Sequence, residues 1–258
     1  MIELSPDQVP ALSPWFAAAP PVATALAEHA QAPGAGHWWA DRPVDPRAIA
    51  VSCADHLLLR GEPTALAPIA LTPFAAHYVQ APARFLPLLS SAFDLLVPWE
   101  RMAYVYRVPV SPPRPPHGVT VRRLTSADAP ALAAMDPDTA WIHASWGGPA
   151  GLAASGHGWA AFAKGRVLAV ACTYFRGRSY EDVACVTVPE HRRQRLALAC
   201  VTALCQDVAA RGHTPSWTCS RDNRASRLVA WTAGFRLAHE YVHYFTGQPA
   251  RRVAGITA

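Results

Sequence analysis

A chain of 258 residues with 51% hydrophobic residues, 23 Lys+Arg and 18 Asp+Glu can bury a sizeable core, which excludes disorder along most of its length. No run of about 18 apolar residues occurs, so neither a membrane-spanning helix nor a membrane partner is expected. The net charge of +5 is uneven: residues 1–117 hold 7 Arg and 9 Asp+Glu, residues 118–258 hold 16 Lys+Arg and 9 Asp+Glu, so the second half is expected to meet an anion.

The opening Met1-Ile2-Glu3-Leu4-Ser5-Pro6 lacks the basic and apolar regions of a secretory signal, and a cytoplasmic location is expected. An Ala/Pro-rich stretch follows, interrupted by Pro20 and Pro21. Residues 48–51 and 56–60 read as short strands, 82–96 as a helix and 102–108 as a strand. His56, His77 and the Trp38-Trp39 pair are isolated in sequence and read as packing or surface residues. The segment Pro109-Val110-Ser111-Pro112-Pro113-Arg114-Pro115-Pro116 suits neither a helix nor a central strand. It is expected to be an extended junction between two domains, 1–117 and 118–258.

Beyond the junction the alternation is cleaner. Residues 118–123 read as a strand, and Thr125-Ser126-Ala127-Asp128 as a capping box opening a helix. Strands at 158–163 and 167–174 flank Lys164-Gly165-Arg166, a hairpin signal. A strand at 182–188 precedes a helix that runs to Arg211 and stops at Gly212. Leu196, Cys200, Leu204 and Val208 recur four residues apart and mark its buried side. A strand at 214–219, a helix at 223–233 closed by Gly234 and a strand at 240–245 complete the order. The six cysteines (53, 172, 185, 200, 205, 219) form no C-x-x-C pair, so no metal is expected.

The chemistry-bearing segment is Val186-Thr187-Val188-Pro189-Glu190-His191-Arg192-Arg193-Gln194-Arg195-Leu196-Ala197. A strand ends, a basic turn follows and a helix begins, a layout whose unpaired amides and partial positive charge can bind pyrophosphate. With Arg192-x-x-x-x-Ala197 at that turn, the order of elements resembles the GNAT superfamily of acyl-CoA-dependent N-acyltransferases, whose signature is [Gln/Arg]-x-x-Gly-x-[Gly/Ala]. Asn223-Arg224-Ala225-Ser226, Val229 and Gly234-Phe235 resemble the family's later helix. The likeness is good over about 118–246 and weak over 37–108. It points to the subgroup in which a degenerate GNAT-like domain comes first.

The resemblance implies an α+β fold: a mixed, mostly antiparallel sheet flanked by helices, preceded by a smaller α/β domain of similar type. It implies acetyl-CoA or another acyl-CoA as cofactor. The strand at 182–188 would splay from 214–219 to hold the pantetheine arm, with Val186 and Val188 in contact and an amide near Val188 polarising the thioester carbonyl. Amides of Arg193, Gln194, Arg195, Leu196 and Ala197, with Arg192, would hold the pyrophosphate. Asn223 and Arg227 would lie near the pantetheine or the adenosine phosphates. Arg195 stands where the family has glycine; it would still serve if its backbone is helical and its side chain points outward.

Proton transfer needs a base and an acid. Asp182 or Glu181 would be the base. The family's usual tyrosine falls at Ala230, leaving Tyr241, Tyr244, Cys219 or a water as the acid. Trp141, His143, Trp146, Tyr174 and Trp217 would form the acceptor pocket, with tryptophans offering stacking or cation–π surfaces. The expected activity is transfer of an acetyl group to the amine of a small molecule by direct attack, in a monomer or homodimer. The alternatives are a non-catalytic acyl-CoA-binding module and other acyl-thioester chemistry, such as O-acylation or decarboxylation. The arginines match no nucleic-acid motif, and no nucleic-acid partner is expected.

Overall fold

Pro20 and Pro21 begin a helix instead of interrupting one: proline at the first helical position has no amide to leave unpaired. The computed structural model describes residues 1–16, 19–32 and 34–250. After a two-residue strand β1 (Ile2–Glu3), helix α1 (Pro21–His29) buries Val22, Ala23, Ala25, Leu26 and Ala27. Strands β2 (His37–Ala40), β3 (Ala48–Cys53) and β4 (His56–Gly61) follow as a meander. Strand β5 (Tyr78–Gln80) then leads to helix α2 (Leu86–Ala92) and strand β6 (Leu96–Tyr106). The α-helix expected over 82–96 is therefore shorter, and the following strand starts six residues early. Pro98 lies in the part of β6 that pairs on one side only, where a strand tolerates proline.

The second half contributes β7 (Thr120–Arg123), α3 (Ala129–Ala133), α4 (Pro149–Ser155), β8 (Gly158–Ala163), β9 (Arg166–Arg176), β10 (Tyr180–Thr187), α5 (Leu196–Ala210), β11 (Thr214–Ser220), α6 (Arg224–Thr232) and β12 (Phe235–Thr246). The capping box forms: the Thr125 amide donates to Asp128 Oδ2 at 2.8 Å, and Arg122 adds a bidentate pair to the same carboxylate. Lys164 and Gly165 have φ of 48° and 76°, the left-handed pair a two-residue hairpin needs. Leu196, Cys200, Leu204 and Val208 are all buried against β9, β10 and β11.

All strands join one sheet in the order β1-β2-β3-β4-β5-β12-β6-β11-β10-β9-β8-β7, antiparallel except at β4/β5 and β10/β11. Strand β6, which precedes the Pro-rich segment, lies between β11 and β12, which follow it. The segments 1–117 and 118–258 thus share one sheet across the expected junction. Gly234 fastens the crossing: its carbonyl accepts the amides of Arg107 and Val108, each at 3.0 Å. At its φ of 101° a side chain would meet the Val108 carbonyl oxygen at 1.9 Å, so only glycine fits.

Helices α5 and α6 cover one face of the sheet, and α1 packs on the other against β9, β10 and β11. Strands β10 and β11 pair from Tyr180↔Thr214 to Val183↔Trp217 and then part. Beyond that point β10 continues with β9 to Thr187 and β11 with β6 to Ser220. A bulge opposite Asp182/Val183, with Tyr174 of β9 as the extra residue, breaks the regular ladder where the opening starts.

Candidate active site

The turn after β10 runs through a short 3-10 segment, Pro189–His191, to Arg192, Arg193, Gln194 and Arg195, all four exposed. Arg193 and Arg195 have φ of 63° and 60°. Arg195 is the residue that caps α5, and its left-handed backbone corrects the expectation of a helical one. It adopts the conformation glycine takes freely, at roughly 1–2 kcal/mol of strain. The first helical bond runs from the Ala199 amide to the Arg195 carbonyl at 3.0 Å. The amides of Leu196, Ala197 and Leu198 therefore have no acceptor within the helix. Arg195→Gly is expected to raise stability by about 1 kcal/mol in urea unfolding, the relieved strain exceeding glycine's extra unfolded-state freedom.

One expected donor is already used. The Val188 amide donates to the Leu168 carbonyl at 2.9 Å. Antiparallel alternation then turns the backbone of Val186 toward β9 as well, and that of Cys185 and Thr187 toward the opening left by β11. Cys185 and Thr187, not Val188, present strand-edge groups there, and the Thr187 carbonyl already accepts from Arg192 Nε at 3.4 Å. Val186 contributes a buried side chain to the core. Asn223 caps α6, its side-chain oxygen accepting the Ser226 amide at 3.0 Å. Arg227 donates to the Arg221 carbonyl at 3.0 Å and lies beside the Tyr104 hydroxyl.

The two adjacent acids face opposite sides of the sheet. Glu181 is fully buried and saturated: Oε2 accepts from Thr173 at 2.5 Å and from Arg211 at 2.7 Å, and Oε1 lies 2.8 Å from His213 Nδ1. Burial alone would raise its pKa, but Arg211, Thr173 and His213 outweigh that and hold it below the usual carboxylate range. These contacts make Glu181 the centre of a buried ion-pair network, with both oxygens engaged by protein partners. Asp182, only 4% exposed, has no such set of partners. Ser216 donates to its Oδ1 at 3.3 Å. Burial pushes its pKa up to about 7, against the opposing pull of Arg101, Ser216 and Thr218.

Around Asp182 the same face carries Ser216 and Thr218 of β11, Arg101 and Trp99 of β6, and Tyr241 and His243 of β12, as strand register requires. Arg101 reaches the Thr218 hydroxyl at 3.5 Å. Tyr241 lies beside Arg101 and Thr218, and burial keeps its hydroxyl protonated well past neutrality. The rings then continue outward: Tyr78 stacks on His243 at 5.1 Å, Trp99 is 5.3 Å from Tyr78, and His56 is 6.5 Å from His243. Burial pushes His56 to about 4 and His243 to about 3, so both are neutral near pH 7.

Of the residues expected in the acceptor pocket, Tyr174 and Trp141 join this surface: Tyr174 lies 6.1 Å from His56 and 5.9 Å from Trp141. Trp217 does not. It is on the opposite face, 2% exposed, packed on Phe235 and bonded to Ser226 Oγ at 3.1 Å. Trp146 is tied to the Thr173 carbonyl at 2.7 Å and stacked on His157. His143 is half-buried, and burial lowers its pKa. His56, Tyr78, Trp99, Arg101 and His243 line this surface although none was expected there from sequence. The signal for them in the sequence is the alternation Trp99-x-Arg101 and Tyr241-x-His243, which places each pair on one face of a strand.

A family model for GNAT acetyltransferases matches residues 113–244. An uncharacterized N-acetyltransferase of Streptomyces virginiae is 64% identical over 214 residues, covering 83% of this chain and 90% of that protein. The chain belongs to the GNAT acetyltransferase family. A second family relative, an uncharacterized N-acetyltransferase of Bacillus subtilis, is 26% identical over 43% of this chain and 42% of its own length. The likeness in fold extends over 93% or more of the chain. A GCN5-related N-acetyltransferase-like protein from Streptococcus suis superposes with a TM-score of 0.71 at 15% identity, covering 93% of this chain and 98% of that one. A tandem GNAT protein from the clavulanic acid biosynthesis pathway gives 0.61 at 13% identity, covering 94% and 96%. The chain is thus an acetyltransferase of the GNAT family with an open, mostly antiparallel sheet. No helix among the described residues is long and apolar enough to cross a membrane.

Proposed function

We propose that this GNAT acetyltransferase transfers an acetyl group from acetyl-CoA, or another acyl-CoA, to the amine of a small molecule by direct attack. The observation that carries the reading is Asp182: a buried carboxyl with a pKa of about 7, next to the point where β10 and β11 part. A base poised there is half-ionised at neutral pH and can accept a proton from an ammonium. The donor set at the start of α5 fits a pyrophosphate. Three amides lack helical acceptors, and the exposed Arg192, Arg193 and Arg195 immediately precede them in the chain. The strand-edge groups of Cys185 and the amide of Thr187 fit the amides of a pantetheine arm.

When bound, the thioester supplies an acyl carbon open to attack. Asp182 holds the proton taken from the incoming nitrogen, directly or through a water. Tyr241 Oη, kept protonated by burial, is the proton donor on the leaving side. Direct attack is favoured over an acyl-enzyme because burial raises the pKa of all six thiols, Cys53 and Cys185 to about 12. None is a ready thiolate at neutral pH.

Calorimetric titration with acetyl-CoA tests the cofactor. Binding is expected below millimolar concentration, and it is expected to weaken at least about tenfold in the triple variant Arg192→Ala/Arg193→Ala/Arg195→Ala, which removes three charges facing phosphate. No binding at millimolar concentration overturns the proposal. Binding without thiol release over a broad panel of amines would leave a non-catalytic acyl-CoA-binding module instead.

A further inference from the structure

The cleft on the α1 side of the sheet holds one permanent charge that the fold leaves unmatched. Arg101 makes no salt bridge among the described residues, and its Nε is buried without a hydrogen-bond partner. Its polar contacts are neutral hydroxyls: Thr218, at 3.5 Å and so at the limit of a hydrogen bond, and the adjacent Tyr241. Of the neighbouring acids, Asp55 lies 3.6 Å from His56 Nε2 and makes no salt bridge with Arg101 among the described residues. Glu100 and Glu240 point to the other face, where they pair with Arg221 at 3.1 and 3.8 Å. Asp182 lies near enough to feel Arg101 but forms no ion pair with it. The nearby imidazoles of His56 and His243 carry no charge near neutrality.

A second buried polar atom is orphaned in the same place. His243 is 4% exposed, and its Nε2 has no partner. Buried donors are normally satisfied, and a charged one left unpaired is costly. Two orphans in one cleft, on adjacent strands, are the pattern of a site whose missing partner is a ligand. Beside them lies a run of rings: Tyr78, Trp99, Tyr174 and Trp141, of which Trp99 is 41% and Trp141 47% exposed. Exposed aromatic faces of this kind take flat apolar groups.

We infer that the acceptor is an amine that also carries a carboxylate and an aromatic group, the chemistry of an aromatic amino acid: Arg101 pairs with the carboxylate, His243 Nε2 supplies a further hydrogen bond, the rings hold the side chain, and the amine is left toward Asp182. This inference rests on the acyl-transfer reading above and names its acceptor class. It gives residues from before the Pro-rich segment (His56, Tyr78, Trp99 and Arg101) the task of choosing the acceptor, and leaves the cofactor end to α5.

The test compares matched pairs. With acetyl-CoA, thiol release is measured for tryptophan against tryptamine and for tyrosine against tyramine. The acids are expected to be used at least about tenfold more efficiently in kcat/KM, and Arg101→Gln is expected to erase that preference while Arg101→Lys restores part of it. Equal or better use of the decarboxylated amines by the wild-type protein overturns the inference and leaves the acyl-transfer reading intact. This comparison needs no variant, so a variant that fails to fold does not blunt it. If no thiol is released with any amine, direct binding decides the point. Calorimetry without acetyl-CoA should then show binding of 3-phenylpropionate and not of phenylethylamine. The reverse order, or binding of neither, overturns the inference.

Discussion

Replacing Asp182 by Asn is expected to lower kcat/KM at pH 7 by about a hundred- to ten-thousand-fold, the range for a removed general base, while making the protein more stable. The two effects have one cause. Burial raises the Asp182 pKa from 3.8 to about 7, so the fold disfavours the ionised form that the reaction needs. An acid whose folded pKa lies above its unfolded one contributes its full share of stability below pH 3.8, and loses it as pH rises to about 7. At about 1.4 kcal/mol per pKa unit the loss has a ceiling of about 4 kcal/mol. Asn keeps the shape and cannot ionise. Urea unfolding of D182N should therefore show a gain that grows from near zero at pH 4 to a maximum above pH 7. The wild-type kcat/KM should climb through the same interval to a plateau. A variant that is inactive and also less stable at pH 8 would contradict the assignment of Asp182 as a buried base.

The neighbouring residue should behave in the opposite way. Glu181→Ala is expected to cost about 3 kcal/mol at pH 7, because it leaves Arg211 and His213 without their buried partner. Arg211 retains Asp207 at 2.8 Å, which keeps the loss at the lower end of the range for breaking a buried pair. The sign with pH is also reversed. The Glu181 pKa is held below the usual 4.5 of a free glutamate, so its contribution is present above pH 4.5 and disappears as pH falls through the folded pKa. Folded E181A, assayed at a temperature below its melt, should retain kcat/KM within a few-fold. A deep loss of activity with unchanged urea stability would reverse the roles given to the two acids.

The contrast between these acids shows where sequence reasoning stops. Adjacent in sequence, Glu181 and Asp182 looked equally suited to be the base, and only the alternation of β10 separates them. Features set by local chemistry were legible: the Thr125/Asp128 box, the Lys164-Gly165 turn, the apolar stripe of α5 and the stop at Gly212. The splay of β10 from β11 followed from the family resemblance. The cleft on the α1 side of the sheet was not legible, because His56, Tyr78, Trp99, Arg101 and His243 meet only through strand pairings between distant parts of the chain. Arg101 in particular fell before the expected start of its strand. Trp217 misled for the complementary reason: its neighbours Ser216 and Thr218 face the cleft, so by the two-residue period it cannot. At Arg195 the residue type argued against a glycine-like turn, and the backbone accepts the strain.

The place of β6 between β11 and β12 also has a meaning for biosynthesis. During translation β6 leaves the ribosome more than a hundred residues ahead of both strands that will flank it. Its buried stretch Met102–Val105 must wait for β11 and β12 without its sheet partners. Loop closure over such separations is slow compared with local helix and hairpin formation. The centre of the sheet, which carries Arg101, Tyr241 and Thr218 side by side, is therefore the last part to close, and the cleft exists only in a chain whose synthesis has reached β12.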